Sequence, residues 1–366
     1  MLTLKRYLLA LALLLLVLVR PVHAADISAK SAVVCEARTG TVLMEQDALA
    51  PMRIASTTKI MTALVVLENC APDERVTVTQ AHCAVEGSSA WLVPGEQYTV
   101  EELLYGLMLC SGNDAAAALA DHCAGSMEAF AALMNEKCAA LGLEHSHFVN
   151  SHGLDAPEHY SCALDLARLT AAAMEVPLFS EIFSTYSRSV HGLNYVNHNK
   201  LLRSYPGCIG GKTGYTNAAG RVLVSCAERD GLRLICVTIS DPDDWADHTA
   251  LYDELFARWR YLPLPGRDWQ TLTLLSGEKD QVQLCCSAPG FLIPKGEEYT
   301  LTVRLPRFLF ASVYAGTRLG GVELRQEDGS VLTADILAAE SVKLDPSVPL
   351  TAWERFKRLW FLAERY

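Results

Sequence analysis

The sequence predicts an α+β protein: an antiparallel sheet flanked by helices, then a small C-terminal β domain and a terminal amphipathic helix. Three observations predict it. Residues 31–45 and 222–240 alternate apolar and polar positions about turn signals, as antiparallel hairpins do. Between them, the stretches 56–69, 100–110, 114–123, 126–141 and 160–185 repeat apolar residues at the three-and-four spacing of a helix face. Beyond Pro263-Leu-Pro265-Gly266 the texture changes to short alternating runs, which reads as a separate domain.

The two ends stand apart from this fold. Lys5 and Arg6 precede an apolar run over 7–19, closed by Val22-His23-Ala24, the pattern of an export signal over 1–24. Thirteen apolar residues fall short of the roughly 20 a membrane span requires. Removing 1–24 takes away Lys5, Arg6 and Arg20, so the remaining balance is 28 basic against 42 acidic residues, or −14. A nucleic-acid partner is not expected of so acidic a chain. At the other end, residues 348–366 include Trp353, Phe356, Leu359 and Trp360 on one helical face, with Lys357, Arg358 and Arg365 opposite. Such a helix suits a membrane surface and is too charged to cross the bilayer.

Each element in between has a local reason. Arg38-Thr-Gly40 turns the first hairpin; Ser161 is the expected N-cap of the 160–185 helix, with Asp165 in its first turn. Arg229-Asp-Gly231 joins strands 222–228 and 232–240, and a helix over 247–261 closes a domain spanning 25–262. The β domain, 263–347, contains the runs 281–285, 299–305 and 330–336, with a turn at Asp328-Gly329. The twelve cysteines are scattered through segments that read as core; there is no Cys-x-x-Cys, and neither metal nor cofactor is expected.

The stretch "IASTTKIMTAL" carries the chemistry. Ser56, Lys59, Ile60, Ala63 and Leu67 share one helical stripe that should be buried, and a buried lysine needs an explanation. As a bland N-cap, Ser56 leaves Lys59 unexplained, because the positive end of the helix dipole disfavours a cation one turn in. A catalytic pair explains both. A serine hydroxyl needs a base, and burial favours the neutral amine of a lysine. Bringing that amine from its ordinary 10.4 to near 7 costs roughly 4 kcal/mol, within the range of buried lysines. Spacing alone is no signal: Ser276-Gly-Glu-Lys279 matches it too, in a turn with no helix behind it.

Two further elements complete the site. Ser111-Gly-Asn113 forms a polar break between apolar helices, where a hydroxyl can pass protons and an amide can bind a peptide carbonyl. Lys212-Thr213-Gly214 offers a cation, a hydroxyl and a close backbone approach for an extended peptide. A phosphate-loop reading of Gly-Lys-Thr fails, because the eight-residue glycine pattern is incomplete and another strand follows.

Together, Ser-x-x-Lys, Ser-x-Asn and Lys-Thr-Gly are a signature of penicillin-binding proteins and class A β-lactamases. "IASTTKIMTALVVLE", "SGNDAAAALA", "HFVNSHGLD" and "GGKTGYTNAAG" resemble, in order, the blocks of the low-molecular-weight penicillin-binding proteins, the D-alanyl-D-alanine carboxypeptidases. The resemblance covers residues 28–262 and extends to the layout of β domain and tail. It implies the serine β-lactamase/D,D-peptidase fold, with Ser56 as acylated nucleophile, Lys59 as base and Ser111 assisting. It implies that Asn113, Lys212, Thr213, Gly214 and Tyr215 bind substrate, and that the backbone N–H groups of Ser56 and Tyr215 form the oxyanion hole. The implied substrate is a peptidoglycan stem peptide, with β-lactams as covalent inhibitors. His198 stands where some relatives have an arginine, and His152 lies in a loop near the site. A β-lactamase would carry a Glu-x-x-x-Asn element, absent between Asn113 and Lys212. A D,D-endopeptidase would use the same residues, and a silent wall-binding protein would need none of them.

Overall fold

Alternating apolar positions at the start of the chain close as a hairpin of Ser31–Glu36 on Val42–Gln46 in the computed structural model, which describes residues 27–264 and 270–347. The candidate leader over 1–24 and the tail helix over 348–366 lie outside the described residues. Among the described residues, no helix is long and apolar enough to cross a membrane. The chain divides into two units between Trp259 and Arg260.

The first unit is built on a five-stranded antiparallel sheet. Its order is Val42–Gln46, Ser31–Glu36, Leu232–Ile239, Gly220–Arg229, Cys208–Thr216. The turn predicted at Asp230-Gly231 is there, with both residues at positive φ (50° and 78°), as a two-residue hairpin demands. Alternation along the central strands sorts their side chains to two faces. Val222, Val224, Cys226, Ile235, Val237 and Ile239 enter the main core with the helices Lys59–Asn69, Val100–Leu109, Asn113–Ala124, Met127–Leu141 and Ala163–Met174. Ser225 and Thr238 turn to the other face, where the helix Asp244–Arg258 lies. Both faces are covered, so the site must open at an edge or an end of the sheet.

Three helices depart from expectation. The 160–185 segment is two helices, Ala163–Met174 and Pro177–Ser184, because Pro177 has no N–H to continue the first and is suited to the first turn of the second. Its N-cap is Cys162, whose sulfur accepts from Asp165 N at 3.4 Å; Ser161 is buried against Ser146 Oγ at 2.7 Å instead. The helix expected over 247–261 runs Asp244–Arg258 and gives way to the strand Trp259–Pro263. Ahead of Lys59–Asn69, residues Ala55–Thr58 form a tighter 3₁₀ turn. The short hairpins Arg75–Thr77 with Gln97–Thr99, and Ser187–Val190 with Leu193–Val196, were not anticipated.

The second unit contains a six-stranded sheet, ordered Tyr299–Arg304, Arg318–Gln326, Val331–Ala338, Gln281–Cys286, Thr271–Leu275, Leu309–Phe310. Val282, Leu284, Leu324 and Ile336 fill its core. Trp259–Pro263 pairs with Gly290–Pro294, which explains why the unit begins just ahead of Pro263.

One buried polar cluster fixes the Asp244–Arg258 helix on the sheet of the first unit. His248 reaches Ser225 Oγ through Nδ1 at 2.7 Å and Thr238 Oγ1 through Nε2 at 3.0 Å, while Tyr252 Oη meets Ser225 Oγ at 2.8 Å. Burial pushes the His248 pKa down to about 3. A group whose folded pKa is depressed stabilises the fold above its unfolded value and loses that contribution as pH falls. Between pH 6.5 and about 3 this ring should therefore remove roughly 1.4 kcal/mol of stability per pH unit. Urea unfolding across that range checks this. His248→Gln should flatten the slope by one proton, and an unchanged slope contradicts the neutral buried ring.

Candidate active site

Burial decides the chemistry around Lys59. It is the first residue of its helix, has no exposed surface, and places Nζ among three oxygens: Ser56 Oγ at 3.0 Å, Asn113 Oδ1 at 2.7 Å and His152 O at 2.6 Å. Asn113 Oδ1 and His152 O are carbonyl oxygens and can only accept. A neutral amine has two N–H bonds for those two, and its lone pair is left facing the Ser56 hydroxyl, which can donate. That is the arrangement of a general base before proton transfer. The Lys59 pKa is held well below its ordinary 10.5, first because burial penalises the ammonium, then because Lys212 is a second positive neighbour; Asp114 acts against both.

The segment that presents Ser56 is strained and braced. Ala55 has φ +47°, uncommon for a residue with a Cβ. Its carbonyl accepts from Thr58 Oγ1 at 2.8 Å, and Thr58 Oγ1 lies 2.8 Å from His159 Nε2. Val149 N donates to His159 Nδ1 at 3.2 Å, so the proton of the neutral ring sits on Nε2 and is donated to Thr58. Burial lowers the His159 pKa to about 4, which keeps this tautomer at neutral pH.

Asn150 shapes the loop carrying His152: its Oδ1 accepts from Gly153 N at 2.7 Å and its Nδ2 donates to Leu154 O at 3.0 Å. Gly153 (φ +90°) passes so close to Ala55 that a Cβ would lie 2.0 Å from Ala55 O. Thr62 Oγ1 and Ser151 Oγ tie the same loop to the two helices, donating to Ser151 O at 2.6 Å and Ala116 O at 2.9 Å. His152 contributes its carbonyl; its ring, lowered to about 4 chiefly by burial, is neutral.

The second wall is the start of the Asn113–Ala124 helix. Its N-cap, Gly112, offers no side chain, so Ser111 does not cap this helix; it is nearly buried, with φ +58°. Lys212 Nζ donates to Ser111 Oγ at 2.9 Å and to Thr213 O at 2.8 Å. Asn113 spends its oxygen on Lys59 and donates from Nδ2 to Glu86 O at 2.6 Å, so it positions the base as well as facing the site. Asp114, which the sequence reading passed over, orders the neighbouring loop by accepting from Ser89 Oγ at 2.6 Å and Ala90 N at 2.8 Å.

Lys212 was expected to provide a cation. Its burial brings its pKa down to about 7, with Cys110 opposing, so its charge is conditional at neutral pH. An arriving carboxylate would restore it.

The third wall is the edge strand Cys208–Thr216, which packs against the Ser56 turn. A Cβ on Gly214 would lie 3.0 Å from both Ile54 O and Ser56 N, so glycine lets this strand pass beside the Ser56 amide. Ser56, Ser111, Thr213, Gly214 and Tyr215 line one cavity of about 480 Å³, together with His198. Lys200, Arg221 and Trp245 form its far side, where Arg221 pairs with Asp244. A larger cavity of about 700 Å³ in the β unit, lined by residues such as Arg304, Arg318 and Glu323, includes no Ser or Cys nucleophile. The residues expected from the sequence are thus brought together: Ser56, Lys59 and Asn113 directly, Ser111 and Lys212 as a second bonded pair, and Thr213, Gly214 and Tyr215 along the edge.

Comparison with known proteins shows the family. Residues 19–243 match the peptidase S11 family, D-alanyl-D-alanine carboxypeptidase. The chain is 33% identical over 332 residues to the D-alanyl-D-alanine carboxypeptidase DacF of Bacillus subtilis, covering 85% of each chain. It is 33% identical over 347 residues to DacC of Escherichia coli, covering 88% of this chain and 86% of that one. Penicillin binding protein 5 of Haemophilus influenzae superposes with a TM-score of 0.73 at 27% identity, over 88% of this chain and 99% of that one. The family match over residues 19–243, with relatives 33% identical along most of both chains and a shared fold, places the chain in the peptidase S11 family, the serine-type D-alanyl-D-alanine carboxypeptidases among the low-molecular-weight penicillin-binding proteins.

Proposed function

We propose that Ser56 is the acylated nucleophile of this carboxypeptidase and Lys59 its general base, acting on the terminal D-Ala-D-Ala bond of a peptidoglycan stem peptide. The observation that carries this is the buried Lys59 Nζ, 3.0 Å from Ser56 Oγ with its other two contacts to carbonyl oxygens. The peptide lies along the free edge of Cys208–Thr216 as an added strand, with Thr213 and the Tyr215 backbone as its partners. Ser56 Oγ attacks the carbonyl of the penultimate residue while its proton moves to Lys59 Nζ. The oxyanion is held by the N–H groups of Ser56 and Tyr215; the close approach of Gly214, the residue before Tyr215, to the Ser56 amide supports this.

Collapse breaks the peptide bond. The leaving amine of D-alanine takes a proton passed from Lys59 through the Ser111 hydroxyl, whose oxygen is polarised by Lys212. Water then attacks the ester, again with Lys59 as base, and frees Ser56. The terminal carboxylate is recognised by Lys212, which its arrival recharges, and by Thr213. A β-lactam acylates Ser56 by the same first step, its ring amide standing in for the scissile bond. Export by the leader over 1–24 and attachment to the outer membrane surface of the cell by the 348–366 helix complete this reading; both rest on the sequence pattern.

Intact-mass measurement after incubation with penicillin and with a D-Ala-D-Ala peptide tests the reaction. The expected result is one drug adduct on Ser56 and release of D-alanine, with Lys59→Met slowing acylation by about 10²–10⁴-fold. An adduct accompanied by cross-link cleavage without D-alanine release would assign an endopeptidase, and no adduct would remove Ser56 from its role. For the tail, deleting residues 348–366 should abolish binding to anionic liposomes; binding that survives the deletion overturns the surface-anchor reading.

A further inference from the structure

Far from the reaction centre, four side chains of metal-binding type converge at the opposite ends of the two helices that hold Lys59 and Asn113. Cys70 caps the C-terminus of Lys59–Asn69, its N–H donating to Val66 O at 2.9 Å. His122 and Cys123 lie in the last turn of Asn113–Ala124. Glu74 sits in the turn after Cys70, aimed by Ala71 N, which donates to its Oε1 at 2.6 Å; its Oε2 meets His122 Nε2 at 2.8 Å. The ligand atoms of Cys70, Glu74 and His122 all lie within 4.8 Å of one another, and the Cys70 thiol donates to Cys123. Tetrahedral zinc, with bonds of about 2.0–2.3 Å, holds its ligand atoms roughly 3.3–3.8 Å apart, so modest side-chain adjustment closes the site.

We propose that Cys70, Glu74 and His122, with Cys123 beside Cys70 as the fourth ligand, form a structural zinc-class site that staples the C-terminal ends of these two helices. The neighbourhood suits a cation: the Glu74 carboxylate and the Cys70 and His122 donor atoms all face one another within 4.8 Å. On binding, Zn²⁺ displaces the two thiol protons, takes neutral His122 and ionised Glu74, and leaves a site of net charge −1. A Cys70–Cys123 disulfide would use the two sulfurs and give His122 and Glu74 no part. The site lies about 16 Å along the helix from Lys59, so its effect is on the packing of the two helices and not on the bond-breaking step.

The test uses the full chain, reduced with a phosphine and freed of metal. Cobalt(II) is added as a spectroscopic probe, then zinc in competition. The expected result is one equivalent bound, with a thiolate-to-cobalt charge-transfer band and the visible bands of a tetrahedral ion, all displaced by zinc. Cys70→Ser and Cys123→Ser should each lose the charge-transfer intensity of one sulfur. His122→Ala, a milder surface change, should weaken binding at least tenfold. Zinc at a hundredfold excess over its dissociation constant should raise Tm by several degrees in the parent chain and not in Cys70→Ser. Penicillin acylation of every variant verifies folding. Absence of the band, a band of undiminished intensity in both cysteine variants, or a Cys70–Cys123 disulfide in protein recovered from outside the cell would each overturn the proposal.

Discussion

An ammonium ion sealed from water costs several kcal/mol unless its surroundings neutralise or pair it, and the first unit holds Lys59 where no carboxylate touches its nitrogen. The surroundings shift the amine toward its uncharged form. Two carbonyl oxygens take its hydrogens, and the remaining direction belongs to the Ser56 hydroxyl. Burial does most of the tuning, and the second buried lysine, Lys212, adds to it through its own positive form. The state of this amine is thus a property of desolvation, held in place by three separate chain segments, around Lys59, Asn113 and His152.

Much of the surrounding structure serves that one placement. The left-handed Ala55 turns Ser56 out of the helix and back toward Lys59, and the Val149–His159–Thr58 relay holds Ala55 in this conformation. Gly153 is required by the loop that supplies the His152 carbonyl, and Gly214 by the strand that passes the Ser56 amide. Asp114 ties down the adjoining loop, which contributes Ser88 to the cavity wall. The sheet contributes an edge: Cys208–Thr216 has a neighbour on one side only, and its other side is available to an extended peptide.

What was legible in the sequence and what was not divide along a physical line. The burial of Lys59 was legible, although the helix buries every residue from Lys59 to Val66 rather than one stripe, while Ser56 and Leu67 are half-buried; the Asp230-Gly231 hairpin was legible because a two-residue turn demands particular residues. Pro177 should have broken the 160–185 helix on local grounds; the apolar periodicity running through it outweighed a stronger signal. Other features have no local signature. Nothing in the sequence around Ala55 announces a left-handed residue, since the bonds that hold it come from Thr58 and from His159, a hundred residues on. The convergence of Cys70 and Glu74 on His122 and Cys123 is likewise set by how two helices cross. Lys212 was identified as a cation, while the extent of its burial, and hence the conditional nature of its charge, followed only from the packing.

The most direct measurement is the protonation state of Lys59 itself. With lysine labelled by carbon-13 at Cε, the Lys59 resonance can be assigned by its disappearance in Lys59→Met and followed against pH by proton–carbon correlation NMR. The account predicts a midpoint well below the ordinary 10.5 and a neutral amine in a substantial fraction of molecules near neutral pH. A Lys59 that titrates near 10.5, together with the exposed lysines, would contradict it.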